Sequence, residues 1–96
     1  MTDRLPKTVV LNAVRTAVSP WSAYVNDEVQ RWHAKNVRNG GTGHPPTSQL
    51  ILRRLRSLVA DGCLTQSPLR RGYYGFRWTI TDAGKTALYF AGYGGL

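Results

Sequence analysis

The segment LRRLRSLVADGCL (residues 52–64) sets Arg53, Arg54 and Arg56 within four positions of a stretch otherwise rich in leucine and valine. A guanidinium group is always charged and presents five donors in a planar fork. It grips phosphate oxygens, or the O6 and N7 edge of guanine, through paired hydrogen bonds. The chemistry open to such a cluster is recognition of a polyanion. Arg70 and Arg71 follow in RRGYYG, with Arg77 a little further on. Across the chain 13 Lys and Arg face 5 Asp and Glu, a formal charge of +8. That imbalance suits a partner rich in phosphates, and would also fit an anionic membrane surface or an acidic protein.

Bond-making chemistry finds less support. The five carboxylates form no pair suited to acid–base work, and no nucleophile–base arrangement stands out, so no enzyme is expected. The spacings of His33, His44 and Cys63 fit no standard zinc pattern, so neither metal nor cofactor is expected. Gly84-Lys85-Thr86 spells the end of a phosphate-binding loop, but Thr79 stands where its first glycine is needed. GGTGH (residues 40–44) lacks the strand-loop-helix frame of a phosphate cradle and reads as a flexible loop. Cys63 is the only cysteine, which excludes an intramolecular disulfide and gives no sign of an oxidising compartment. MTDRLPK lacks the apolar run of a signal peptide, and no stretch approaches a bilayer span. The expectation is a cytoplasmic protein without membrane contact.

Ninety-six residues suit one domain with a thin core. Residues 5–18 read as a helix, with Pro6 in its first turn and Val10, Val14, Ala17 and Val18 on one stripe. Ser19-Pro20 ends it. WSAYV (21–25) could be a short strand, and Asn26 looks like the cap of a helix running to about Lys35, with Val29 and Trp32 turned inward and His33 at the buried edge. Residues 36–45 read as a loop by their glycines and prolines. The best helix covers residues 46–61, and Gly62 ends it as a left-handed cap. On its wheel Ile51, Leu52, Leu55, Leu58 and Val59 share one arc. Pro46, Gln49, Leu50, Arg53 and Ser57 lie opposite, with Arg54 and Arg56 on the shoulders. CLTQS and YGFRWTI then read as a β-hairpin. Tyr74, Phe76, Trp78 and Ile80 take one face of it, Arg77 and Thr79 the other, and Arg70 and Arg71 sit at its tip. That alternation makes the aromatic residues core, save Tyr73. Thr81 caps a last helix in TDAGKTALYFA, and the tail after it is expected to fray.

This order is that of a winged helix-turn-helix. The fold class expected is α+β, mainly α, with a three-helix core, a β-hairpin wing over residues 67–77 and a C-terminal helix, in a single domain over residues 1–96. LRRLRSLVADGCL followed by WTITDAG also resembles the winged-helix regulators of the MarR and PadR kind. Leu55, Leu58, Gly62, Cys63 and Leu64 match the end of their recognition helix, and Trp78, Ile80, Thr81 and Gly84 match the step from wing to next helix. The match covers residues 47–88; the N-terminal part agrees only in element order. A departure is the connection between the two helices of the motif. Usually three or four residues, it is about ten here, and either bulges outward or serves as a contact arm bearing Arg38, Asn39 and His44.

The resemblance implies a regulator that binds double-stranded DNA, and the residues support this separately. A helix laid in the major groove offers its outer, mainly N-terminal residues to the bases. Thr47, Ser48, Gln49, Leu50 and Arg53 hold those places, with Gln49 suited to adenine, Arg53 to guanine and Leu50 to a thymine methyl. Arg54, Arg56, Arg70, Arg71, Tyr73 and Arg77 would meet the backbone or the minor groove. About five neutralised phosphates give a log–log salt slope of about −4 to −5. A homodimer is expected from the thin core and from the apolar residues of the terminal helices, Val10 and Val14 with Leu88, Tyr89 and Phe90. The alternative is a protein–protein interaction module, an accessory or inhibitory factor, docking its basic face on an acidic surface with Leu50 and Tyr73 as anchors.

Overall fold

The computed structural model describes residues 5–38, 40, 44–69 and 75–93. They form four helices and one two-stranded sheet, a mainly helical α+β arrangement in the order α1 (Lys7–Thr16), α2 (Ser22–Arg38), α3 (Ser48–Ala60), β1 (Leu64–Pro68), β2 (Phe76–Ile80) and α4 (Asp82–Phe90).

Each helix is anchored by an apolar face. In α1, Val10 and Val14 are buried together with Val9, Leu11 and Ala13. The helix stops at Thr16, so Val18 lies beyond it and is 84% exposed rather than part of the stripe. In α2 the buried residues are Val25 and Val29, with Trp32 packed beside them. In α3 they are Ile51, Leu55 and Leu58. These faces converge with Leu64, Trp78 and Leu88 into one core cluster, in which α1 packs against both α2 and α3.

The chain between α1 and α2 differs from the expected strand. Residues 22–25 are already helical, and Asn26 is inside α2 rather than its cap. The helical spacing of Val25, Val29 and Trp32 accounts for this: burying them on one face requires the helix to begin before Val25. What survives of the strand is one bridge, Trp21 to Arg77, with the Trp78 amide donating to the Pro20 carbonyl at 2.8 Å. α2 also continues past Lys35 to Arg38, while α3 begins at Ser48 after its Thr47 cap and not at 46, so the connection shifts to residues 39–47 and is hardly shortened.

The hairpin is antiparallel, with Leu64 opposite Ile80 and Gln66 opposite Trp78. Trp78 is fully buried, Phe76 and Ile80 pack beside it, and Arg77 and Thr79 are exposed, as period-two alternation requires. Pro68 donates no ladder hydrogen bond and sits at the end of an edge strand, where that is tolerated. No helix among the described residues is long and apolar enough to cross a membrane.

Candidate nucleic-acid interface

α3 is fixed at both ends by side chains and turns that the sequence specifies. Thr47 is the N-cap, its Oγ1 accepting from the Leu50 amide at 3.1 Å. At the other end Gly62 has φ +80°, the left-handed region that disfavours any residue with a Cβ. Around it the Cys63 amide donates to the Leu58 carbonyl and the Gly62 amide to the Val59 carbonyl, the two bonds of a Schellman ending. Lys7 and Asp61, paired at 2.8 Å, link this end to α1. At the entry, the Gln30 side chain donates to the Pro46 carbonyl at 2.7 Å, tying the connection to α2.

Held this way, α3 presents Gln49, Arg53 and Arg56 to solvent. Their spacing of four and then three residues keeps them within an arc of roughly 60°. Arg56 therefore belongs to the outer stripe rather than its shoulder. Among the described residues neither Arg53 nor Arg56 has an ion-pair or hydrogen-bond partner. α3 contains no acidic residue, and Asp61 just beyond it is already paired with Lys7. The stripe is thus an uncompensated band of positive charge.

Two expected members of this set lie elsewhere. Leu50 is half-buried and packs against the core cluster, so the apolar arc of α3 is wider than Ile51, Leu55 and Leu58 alone. Arg54 is also half-buried, and its Nε donates to the Leu5 carbonyl at 2.8 Å. That places it on the side of α3 that meets the chain entering α1, where it acts as a structural tie. Thr47 and Ser48 are exposed at the helix start.

Arg77 is exposed on β2. Arg70, Arg71 and Tyr73 lie outside the described residues, as does Asn39 of the connection. The turn end of the hairpin is nevertheless located: Gly75 and Phe76, where the chain comes back into β2, line the same cleft as Ser48 and Gln49. The hairpin therefore rises beside the N-terminal turn of α3.

Two joints hold the hairpin there. Ser22 Oγ, at the start of α2, accepts from the Phe76 amide and from Trp78 Nε1, each at 3.1 Å, and donates to the Phe76 carbonyl at 3.3 Å. Gly75, at φ +93°, lies so close that a Cβ there would meet Ser22 Cβ at 3.0 Å. Sequence reasoning missed Ser22; the signal for it was the helical spacing from Val25, which makes the serine a first-turn residue. At the other joint Thr81 Oγ1 accepts from the Gly84 amide at 3.1 Å and donates to the Gly62 carbonyl at 2.6 Å. The Thr81 amide donates to the Cys63 carbonyl at 3.1 Å. The end of α3, the end of β2 and the start of α4 thus meet at one point.

Val10, Val14 and Leu88, expected at a subunit interface, are buried in the chain's own core. Tyr89 and Phe90 are 64% and 81% exposed and stack edge-to-face at 5.7 Å. Cys63 and His33 are half-buried, and among the described residues no group of three His, Cys, Asp or Glu is placed to hold a metal. Comparison with known proteins returns no family model, no curated protein and no solved structure that matches the chain.

Proposed function

We propose that the chain is a winged-helix protein that binds double-stranded DNA and regulates transcription. α3 enters the major groove, and the hairpin of β1 and β2 lies against the backbone or the neighbouring minor groove. The observation that carries this reading is the exposed, unpaired stripe of Gln49, Arg53 and Arg56, free of acidic neighbours on its helix, with the turn end of the hairpin beside its first turn. The element order and the resemblance of residues 47–88 to MarR- and PadR-like regulators support it. The same parts occur in that order, and the glycines and threonine of the two motifs perform the turns described above.

In this reading Gln49 and Arg53 read base edges, while Thr47 and Ser48 position the helix on phosphates. Arg56 and Arg77 neutralise phosphates, with Arg70 and Arg71 assigned to the same role from sequence. Arg54 contributes charge but no base contact. The rival reading, a module docking its basic face on an acidic protein, loses some support because Leu50, one of its two anchors, packs partly on the core.

Gel-shift titration at physiological salt tests the assignment. Saturable binding is expected, and Arg53→Glu should weaken it about 10–100-fold with the circular dichroism spectrum unchanged. Lys85→Glu alters net charge by the same amount on α4 and should cost much less. Equal losses for the two variants would reduce the interaction to bulk charge and reject α3 as the reading element.

A further inference from the structure

Glu28, Arg31, Trp32 and Lys35 fall within an arc of about 100° on α2, and all four line a cavity of about 440 Å³ between that helix and α1. Val9 and Ala13 of α1, with Tyr93 after α4, also line it. None of its lining comes from α3 or the hairpin, so it is separate from the interface described above. Its volume lies in the range of sites for small organic ligands, and polar atoms make up a large share of its wall. The Glu28 side chain is only 20% exposed, and its Oε1 accepts from Arg31 Nη1 at 3.0 Å. A guanidinium N–H beside a carboxylate makes a row of one donor and two acceptors. The Watson–Crick edge of guanine is the complementary row: O6 accepts, while N1–H and N2–H donate. Adenine does not match it, since its N1 is an acceptor that would face the carboxylate. Trp32, half-buried on the core, offers a ring for base stacking. Lys35 is exposed, one turn beyond Arg31, with no ion-pair or hydrogen-bond partner among the described residues. Seven residues of helix set it about 10 Å along the axis from Glu28, comparable to the reach from a base edge to its 5′-phosphate.

We propose that this cavity binds a guanine mononucleotide. The base lies on Trp32 with its edge against the Glu28–Arg31 pair: Arg31 donates to O6, and the Glu28 carboxylate accepts from N1–H and N2–H. Both contacts are charge-assisted, the stronger class of hydrogen bond. The phosphate meets Lys35, which acts as a point charge. The site does not require DNA, and its existence is independent of the function proposed above.

Guanosine 5′-monophosphate is the probe, titrated without DNA into the isotope-labelled chain and followed by NMR. Adenosine 5′-monophosphate carries the same charge and controls for unspecific attraction to a chain at +8. The guanine nucleotide should give saturating shifts at the Trp32 indole N–H and at the backbone amides of Glu28, Arg31 and Lys35. It should bind at least about tenfold more tightly than the adenine nucleotide. Glu28→Gln replaces an acceptor by a donor and should bring the two nucleotides to similar affinity. Lys35→Ala should weaken the guanine nucleotide severalfold and keep the preference for it. Equal affinity of the original chain for the two nucleotides overturns the proposal. So do shifts confined to α3, which would mean that the phosphate only joins the outer arginines. Neither comparison depends on a variant folding. Retention of the preference in a folded Glu28→Gln chain would remove Glu28 as the reader of the base.

Discussion

Gly84 shows how one missing atom sets a junction. A Cβ at this position would overlap the Cys63 carbonyl oxygen and approach Ile80 Cγ2 at 2.8 Å. The obstacle on one side is backbone, which cannot swing away as a side-chain tip can. Gly84→Ala should therefore lower stability by about 1–3 kcal/mol, the usual cost of overpacking, although alanine is the better helix former by roughly 1 kcal/mol. Chemical denaturation gives the sign: a gain in stability would show that α4 can retreat from Cys63. Thr81→Val keeps the shape and removes both hydroxyl bonds, leaving the Gly84 amide uncapped. A loss of about 1–2 kcal/mol is expected, with little change in DNA binding, since Thr81 is remote from the outer stripe of α3. Both residues were legible in WTITDAG, because a cap and the glycine three positions on are neighbours in sequence. Ser22 was not, because its partners Phe76 and Trp78 are 54 and 56 residues away. The tie of Arg54 was hidden for a related reason: its partner, the Leu5 carbonyl, belongs to a segment 49 residues away.

Among the elements, α3, β2 and α4 were readable because each carries local start and stop signals as well as a clear period. Thr47 and Gly62 bracket α3, alternation marks β2 and Thr81 opens α4. α2 was misjudged at both ends. Trp21 just before it and Tyr24 and Val25 in its first turn have strand preference, and a tempting Asn-Asp-Glu cap lies inside the helix. Burial of Val25 in register with Val29 outweighs those local preferences, as tertiary packing commonly does. The hairpin depends on α2 in turn, because two strands alone are only marginally stable and Ser22 fastens β2 to the helix. Ser22→Ala leaves the Phe76 amide and Trp78 Nε1 without that partner. It should cost about 2–4 kcal/mol and speed hydrogen exchange at the Phe76 amide more than at the amides of α3. Uniform acceleration throughout would mean that the joint supports the whole fold and not the hairpin in particular.

At the scale of the molecule, the proposed DNA binding carries a further prediction, since size and charge together decide how many copies a DNA site would require. The chain measures 40 × 31 × 25 Å. Half-sites read by paired recognition helices lie one helical turn apart, about 34–36 Å, so one copy with a single α3 can read only one of them. Tyr89 and Phe90, with Val18 at 84% exposure, are the most exposed of the large apolar residues among those described, and they are where we propose that a second copy docks. Self-association must overcome the repulsion of two chains at +8 each, so it should tighten with added salt, while DNA binding weakens. Salt titration on DNA then counts copies. If Arg53, Arg56, Arg70, Arg71 and Arg77 each neutralise a phosphate, one chain gives a log–log slope of about −4 to −5, and a dimer on two half-sites about −9. Phe90→Glu should return the slope on a two-half-site duplex to the single-chain value and sediment as a monomer, with binding to an isolated half-site preserved. A slope that stays at the single-chain value for the unmodified protein on the longer duplex would mean that it engages DNA one copy at a time, leaving the aromatic pair on α4 without this role.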